Sequence, residues 1–522
     1  MGDQPVTTRT LLRGGIVADG IGWTTRRADV LIEGPVIAWI GAGDVGGPAG
    51  ECELVDLAAG SVVCPGFIDA HVHAEGPLLD AGCVEGALAQ GVTTLVVGQD
   101  GESWVGATEA TARYLNRYFG PVNGVLEPAR ELSAGAYREA VSGRLIQNVA
   151  VLASQGTIRH NVAGMAAGPL GAGELAAARR EVENALADGA VGLSSGLEYL
   201  PSRFGSVDEI AGMAAPLAEA GRLYVSHLRG YGPAVGAGLG ELVAVGQAAG
   251  VRVHASHLWG TSEDIEAALE LADAAGVAVT FDMYPYRRSS TILAVLLLPA
   301  ELQAGGPDRT LAALADPVER AALLADEKFS DEYLQNLYLG SLPAELARFA
   351  GQSVAEAASG SSRSAGEWAL DLLVSTGLDV GAHLDRPALA EEHLAWVAAD
   401  DRHCAGSDGI YQGQHPHPRG YGAFARLAAD YLKDGADAGY QRLARHLAAN
   451  AADVYCLRDR GRLAPGLAAD ICVIGPGGIT ERAAYDAPQT QATGVDVVIV
   501  NGVVVWRGGQ PRAGQFPGRL VS

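Results

Sequence analysis

Eight short apolar runs, each followed by an alanine-rich stretch of helical periodicity, dominate the middle of this 522-residue chain. They cover residues 66–71, 91–98, 148–153, 190–194, 223–227, 251–257, 277–282 and 403–408. Runs of this length bounded by turn residues read as buried strands, and the segments between them, such as 175–187 and 265–275, read as helices. Eight strand–helix units predict an α/β fold, a TIM-type (β/α)8 barrel over residues 63–461, with its chemistry at the C-terminal ends of the strands. More than a hundred residues separate the last two runs. That exceeds any ordinary connection and predicts a helical, lid-like insert at about residues 300–375.

Both flanks have a different rhythm. Residues 8–62 and 466–506 alternate apolar and polar positions, with turn signals such as Gly14-Gly15, Asp19-Gly20 and Gly34-Pro35. Hairpins standing alone are marginal in water, so the two tails, 1–62 and 462–522, are expected to complete each other as one small β-sandwich domain.

Composition excludes several function classes. A formal charge of −24 repels phosphate backbones and anionic lipid, so neither nucleic acid nor a membrane is an expected partner. The N-terminus has no basic start followed by an apolar stretch, and the aliphatic run 292–298 is far too short to cross a bilayer. Six cysteines, without CxxC pairing, read as reduced thiols of a cytoplasmic protein. A small-molecule substrate is the expected partner, and assembly into a homo-oligomer is left open.

The polar residues at the strand ends carry the chemistry. His71 and His73 alternate after the first strand and so leave it on one face. Asp100 follows the second strand, His227 ends the fifth, His257 the sixth and Asp408 the eighth. Imidazole nitrogens mixed with carboxylate oxygens suit Zn²⁺ or a similar divalent ion. Six ligands hold two ions better than one, and two adjacent ions need a bridging oxygen. The only lysines, Lys328 and Lys433, lie away from the strand ends. Asp100 is therefore the candidate bridge, its other reading being a helix cap. Asp408 is the candidate general acid/base, taking a proton from water and returning it to a leaving amine, or else a plain ligand. His254, three residues before His257, is expected to face the helix layer, outside the site.

Longer stretches then resemble a known family. The segments 65–73, 91–94, 196–201 (Gly-Leu-Glu-Tyr-Leu-Pro), 282–286 (Asp-Met-Tyr-Pro-Tyr), 406–409, 417–422 and 460–466 are similar to those of the amidohydrolase superfamily, specifically its N-acyl-D-amino-acid deacylase (D-aminoacylase) group. The resemblance implies a zinc enzyme with one or two ions that hydrolyses the linear amide of an N-acyl amino acid, D-configured, or of a dipeptide-like substrate. By position it implies a metal site of His71, His73, Asp100, His227, His257 and Asp408. It also implies substrate contacts from Tyr199, Tyr284 and Arg419, the last forking onto a carboxylate.

The residues alone leave Tyr199 open as a core aromatic and Arg419 as a loop brace. Ser290, in Ser289-Ser290-Thr291, is a further candidate substrate contact or ordinary loop chemistry. Two positions depart from the family: Asp100 stands where it usually has cysteine, and Trp259 where it commonly has lysine. Trp259 is thereby a candidate for a different substrate tail. A cyclic amidase or deaminase of the same superfamily, or a catalytically silent binding barrel, are the alternatives.

Overall fold

The computed structural model describes residues 9–22, 24–42, 52–386, 391–433 and 436–522. The eight apolar runs are strands: β1 (Phe67–Asp69), β2 (Val92–Val97), β3 (Asn148–Val151), β4 (Gly192–Gly196), β5 (Leu223–His227), β6 (Arg252–Ala255), β7 (Val279–Met283) and β8 (His403–Ala405). Each pairs in parallel with the next, β3 reaching β4 through Ala153 and Ser154. Beyond β8, the Ala70 amide donates to the Ala405 carbonyl (3.0 Å) and the Asp408 amide to the His71 carbonyl (2.8 Å). Gly409–Ile410 then runs parallel to Val72–His73. The first and last strands are therefore joined.

Successive side chains divide between two cores, as the pleat requires. Leu193, Tyr224, Val253 and Phe281 face outward onto helices 172–187, 207–220, 235–249 and 262–274. Ile68, Val96, Ala150, Val225 and Cys404 face inward around Tyr455. The helices begin and end where their terminal residues dictate. Ser206 and Thr261 accept from the amides of Glu209 and Asp264, while Gly221 and Gly250 turn left-handed at the far ends.

Strands of the two tails share one sheet. Nine strands make one hydrogen-bonded sheet in which Val62–Pro65 lies between Arg9–Val17 and Ile471–Ile474. Leu12, Val30 and Ile32 from the N-terminal tail share a buried cluster with Ile471, Val473, Val497 and Ile499 from the C-terminal one. The last residues leave this sheet: the Val149 amide donates to the Arg519 carbonyl (3.0 Å) and the Val521 amide to the Val149 carbonyl (2.9 Å), so the tail lies along β3. Asp470 locks the two parts. It accepts from the Asn501 amide (2.7 Å), from Asn148 Nδ2 on β3 (3.0 Å) and from the buried Arg460 guanidinium.

The insert is larger and less helical than expected. Helices occupy much of residues 293–375, but three antiparallel strands form a sheet with them: Ser289–Ile292 and Gly381–Leu384 at the ends of the insert and Leu337–Ser341 in its middle. Leu293, Leu297, Leu314, Phe329, Leu370 and Val380 give it a core of its own. Among the described residues no helix is long and apolar enough to cross a membrane.

Asp470→Ala removes the acceptor of the Asn501 amide, of Asn148 Nδ2 and of one Arg460 nitrogen, leaving Arg460 on the exposed Asp459 alone (3.0 Å), so we expect a loss of about 1–3 kcal/mol in urea unfolding. A loss below about 1 kcal/mol, the range of an exposed pair, would show that the contact does not join the parts.

Candidate metal centre

All six strand-end residues meet in one place. His71 Nε2 lies 3.5 Å from Asp100 Oδ1 and 3.7 Å from Asp408 Oδ1. His73 Nε2 lies 3.5 Å from Asp100 Oδ2 and 3.4 Å from Asp408 Oδ1. His227 Nδ1 is 3.6 Å from Asp100 Oδ2, and His257 Nε2 is 3.8 Å from Asp100 Oδ1. Most of these spacings are long for hydrogen bonds, but donors each about 2.1 Å from one tetrahedral ion sit about 3.4 Å apart. His71 Nε2 and Asp100 Oδ1 are buried without a hydrogen-bond partner. Two overlapping groups, His71 with Asp100 and His257, and His71 with His73 and Asp408, each bring their donor atoms within 4.8 Å of one another. The donor set fits a divalent cation.

Backbone geometry holds this cluster. Asp100, His257 and Asp408 take φ of 56°, 33° and 48°, half of the six non-glycine residues with positive φ among those described. Such conformations cost energy and persist where the surroundings enforce them. Two glycines make room: a Cβ on Gly406 would lie 2.7 Å from Asp282 Oδ1, and one on Gly196 would lie 2.1 Å from the Asp100 carbonyl.

The remaining nitrogens of three imidazoles are pinned from behind. His71 Nδ1 is 3.3 Å from Asp282 Oδ2, His73 Nδ1 is 3.0 Å from Asn123 Oδ1, and His227 Nε2 is 3.0 Å from Glu198 Oε2. Such partners fix tautomer and ring orientation and raise ligand basicity. Asp282 also accepts the His257 amide (2.9 Å) and touches His254 Nε2 (3.1 Å). His254 therefore faces the interior beneath the site, not the helix layer as expected. The strand ends at Ala255 and His257 turns on a positive φ, so period-two counting from one histidine to the other fails.

The pins were within reach of the sequence to different degrees. Asp282 ends β7's polar tip as the ligands end theirs, and Glu198 lies in the 196–201 motif. Asn123, on the short helix Gly120–Asn123, carried no signal.

The substrate candidates surround the centre unequally. Tyr199 packs 4.8 Å from the His227 ring and its hydroxyl meets Thr291 Oγ1 at 2.9 Å. Tyr284 lies 6.4 Å from His257, under the Arg419 guanidinium. Trp259 stacks on Tyr231. Arg419 is wholly buried, with Nη1 2.8 Å from Asp408 Oδ2 and Nη2 donating to the Ser290 carbonyl at 3.3 Å. Arg229, two residues after His227, turns away to Glu241.

Charge balance follows from these contacts. Burial opposes ionisation of Asp408, yet Arg419 and His73 hold its carboxyl below the usual range. Burial also opposes a proton on His73, but Asp100 and Asp408 outweigh it and hold the imidazole up to about 10. In His227, Asp100 and Glu198 likewise overcome burial and hold it up to about 9.

Residues 385–506 match the Amidohydrolase family Amidohydro_3. The N-acyl-D-glutamate deacylase of Alcaligenes xylosoxydans xylosoxydans is 31% identical over 98% of this chain and 96% of its own. The chain belongs to the N-acyl-D-amino-acid deacylase family of amidohydrolases. The D-aminoacylase of the same organism is 29% identical over 98% of this chain and 97% of its own. A solved N-acyl-D-glutamate deacylase from Bordetella bronchiseptica, in complex with zinc and a phosphonate inhibitor that mimics the tetrahedral intermediate, superposes with a TM-score of 0.81. It is 28% identical and covers 99% of each chain. Within this deacylase fold the oxygens of Asp100 face two pairs of imidazoles, Oδ1 toward His71 and His257 and Oδ2 toward His73 and His227.

Two outcomes test this centre. Asp282→Ala releases His71 and His254 without removing a donor atom, so metal affinity measured by chelator competition should fall about 10–100-fold. A cation must also displace the protons held on His73 and His227. Loading at pH 8 should therefore release protons, and affinity should rise from pH 7 toward 9 and 10. A flat profile would contradict protonation of these two imidazoles in the metal-free centre.

Proposed function

We propose that this chain hydrolyses the linear amide bond of an N-acyl amino acid, D-configured, with Asp408 as general acid/base. The supporting observation is the convergence of His71, His73, Asp100, His227, His257 and Asp408 with two buried donor atoms left unbonded. These six residues would hold zinc, as one ion or two, and Asp100 is suited to bridge because its oxygens face different imidazole pairs. The cation supplies Lewis acidity that polarises a carbonyl and acidifies water.

The protein's own residues do the rest. Arg419 engages Oδ2 of Asp408 and leaves Oδ1 toward His71 and His73, so the carboxylate is ionised and its free oxygen faces the reaction centre. From there it accepts the proton of attacking water and returns it to the departing amine nitrogen. Tyr199, Trp259 and Tyr284 wall the space with aromatic surface, and Ser290 brings the insert to Arg419 and to the substrate. This reading takes the parallel strands as a closed (β/α)8 barrel over 63–461, the tails 1–62 and 462–522 as a β-sandwich, and the insert as a lid. Six free cysteines suit a cytoplasmic enzyme. The deacylases named above act on N-acyl-D-amino acids, which supports the D configuration.

Asp408→Asn keeps the shape but cannot take a proton; turnover should fall at least about 10²–10⁴-fold while elemental analysis finds the metal retained. Asp100→Ala should lower metal stoichiometry. Free amine release from matched D and L N-acyl amino acids, against cyclic amides, tests the substrate class. Turnover confined to cyclic amides would replace the proposed reaction.

A further inference from the structure

Arg386 leaves the insert two residues after the strand Gly381–Leu384, and its guanidinium carbon lies 3.9 Å over the Trp259 ring. Trp259 stacks on Tyr231 with 6.1 Å between ring centres and 5° between planes. Tyr231 in turn packs 5.1 Å from His227 and 5.2 Å from His257. One aromatic column thus connects the guanidinium to the imidazoles of the metal centre. The charge of Arg386 reaches Glu198, whose carboxyl is held low by His227 and by this arginine against the effect of burial.

Arg386 is half-buried, and among the described residues none accepts a hydrogen bond from its guanidinium. Of the neighbouring cations, Arg287 forks onto Asp385 (2.7 and 2.9 Å), and Arg419 pairs with Asp408 through Nη1 (2.8 Å). A guanidinium resting face-down on an indole keeps its in-plane N–H groups outward, in the fork that matches a carboxylate. The column, with the electrostatic contacts of Arg386 to Tyr284 and Glu198, sets that fork on the side of the centre where His227 and His257 stand.

We propose that Arg386, braced on Trp259, is the receptor for a carboxylate of the substrate and so fixes where the acyl amide lies relative to Asp408. This rests on the amide-hydrolase reading for its substrate class. The chemistry of the ligand is an anionic, planar, two-oxygen group, carried either at Cα or on the side chain of the N-acyl amino acid.

Calorimetry on the full-length, zinc-loaded protein tests it with ligands that cannot be cleaved. N-methanesulfonyl-D-leucine is compared with its carboxamide for the Cα carboxylate, and N-methanesulfonyl-D-glutamate with the glutamine analogue for the side chain. The wild type should prefer the carboxylate in at least one pair by about 10–100-fold, the range of a charge-assisted hydrogen bond. Arg386→Gln should erase that preference, and Arg386→Lys should keep part of it, having the charge without the fork. Trp259→Ala, which removes the brace alone, should reduce it and serves if Arg386→Gln does not fold. A wild type indifferent to the carboxylate in both pairs, or a preference undiminished in these variants, overturns the assignment. Preference with no turnover of any linear amide would sink the proposed reaction and leave Arg386 in place as a carboxylate receptor.

Discussion

The bond from the Asp408 amide to the His71 carbonyl joins residues 337 positions apart, and the centre depends on it. It sets the tip of the last strand against the tip of the first, so that one carboxylate reaches both His71 and His73. Asp69 reinforces the joint from β1, accepting the Ser407 amide at 2.8 Å and its hydroxyl at 2.5 Å. Burial pushes the Asp69 carboxyl up to about 7, against the lowering effect of the Ser407 bonds. Water competes poorly there, and each backbone bond across the seam is correspondingly firm.

Asp282 extends that order inward. Through two oxygens it meets His71, His254 and the His257 amide, linking β1, β6 and β7 beneath the ligands. Gly406 is what admits this carboxylate, since any larger residue on the closing strand would collide with it. The pins on His73 and His227, Asn123 and Glu198, come from connections after the strands. Scaffold and loops therefore share the task of aiming nitrogens at one point, which is what metal affinity requires.

How much of this was legible in the sequence depended on how local each signal was. All eight strands could be read from apolar runs, and the residues that converge at the centre from their places at strand tips, because both patterns lie within a few residues. The insert's sheet could not: Ser289–Ile292 finds its partner Gly381–Leu384 about ninety residues later, and neither is long enough to announce itself. His254 departs from its expected place because alternation holds only while a strand stays regular, and the chain turns at His257. Arg386 offered nothing to a pattern search, being one arginine among many until its ring partner, Trp259, was set beside it.

The charge of the whole chain, −24, makes the local cations matter more. An anionic N-acyl amino acid approaching such a surface meets net repulsion, but salt screens charges beyond about 8–10 Å, so the last few ångströms decide binding. Within that range Arg419 stands against the Asp408 carboxylate, and Arg386 stands on the ring column that ends at His227 and His257. Arg419 is engaged by Asp408, which in the proposed reaction stays ionised and oriented to accept a proton. In the proposed reaction the two arginines divide the labour: Arg419 keeps Asp408 anionic, and Arg386, stacked on the Trp259 indole, meets the substrate carboxylate.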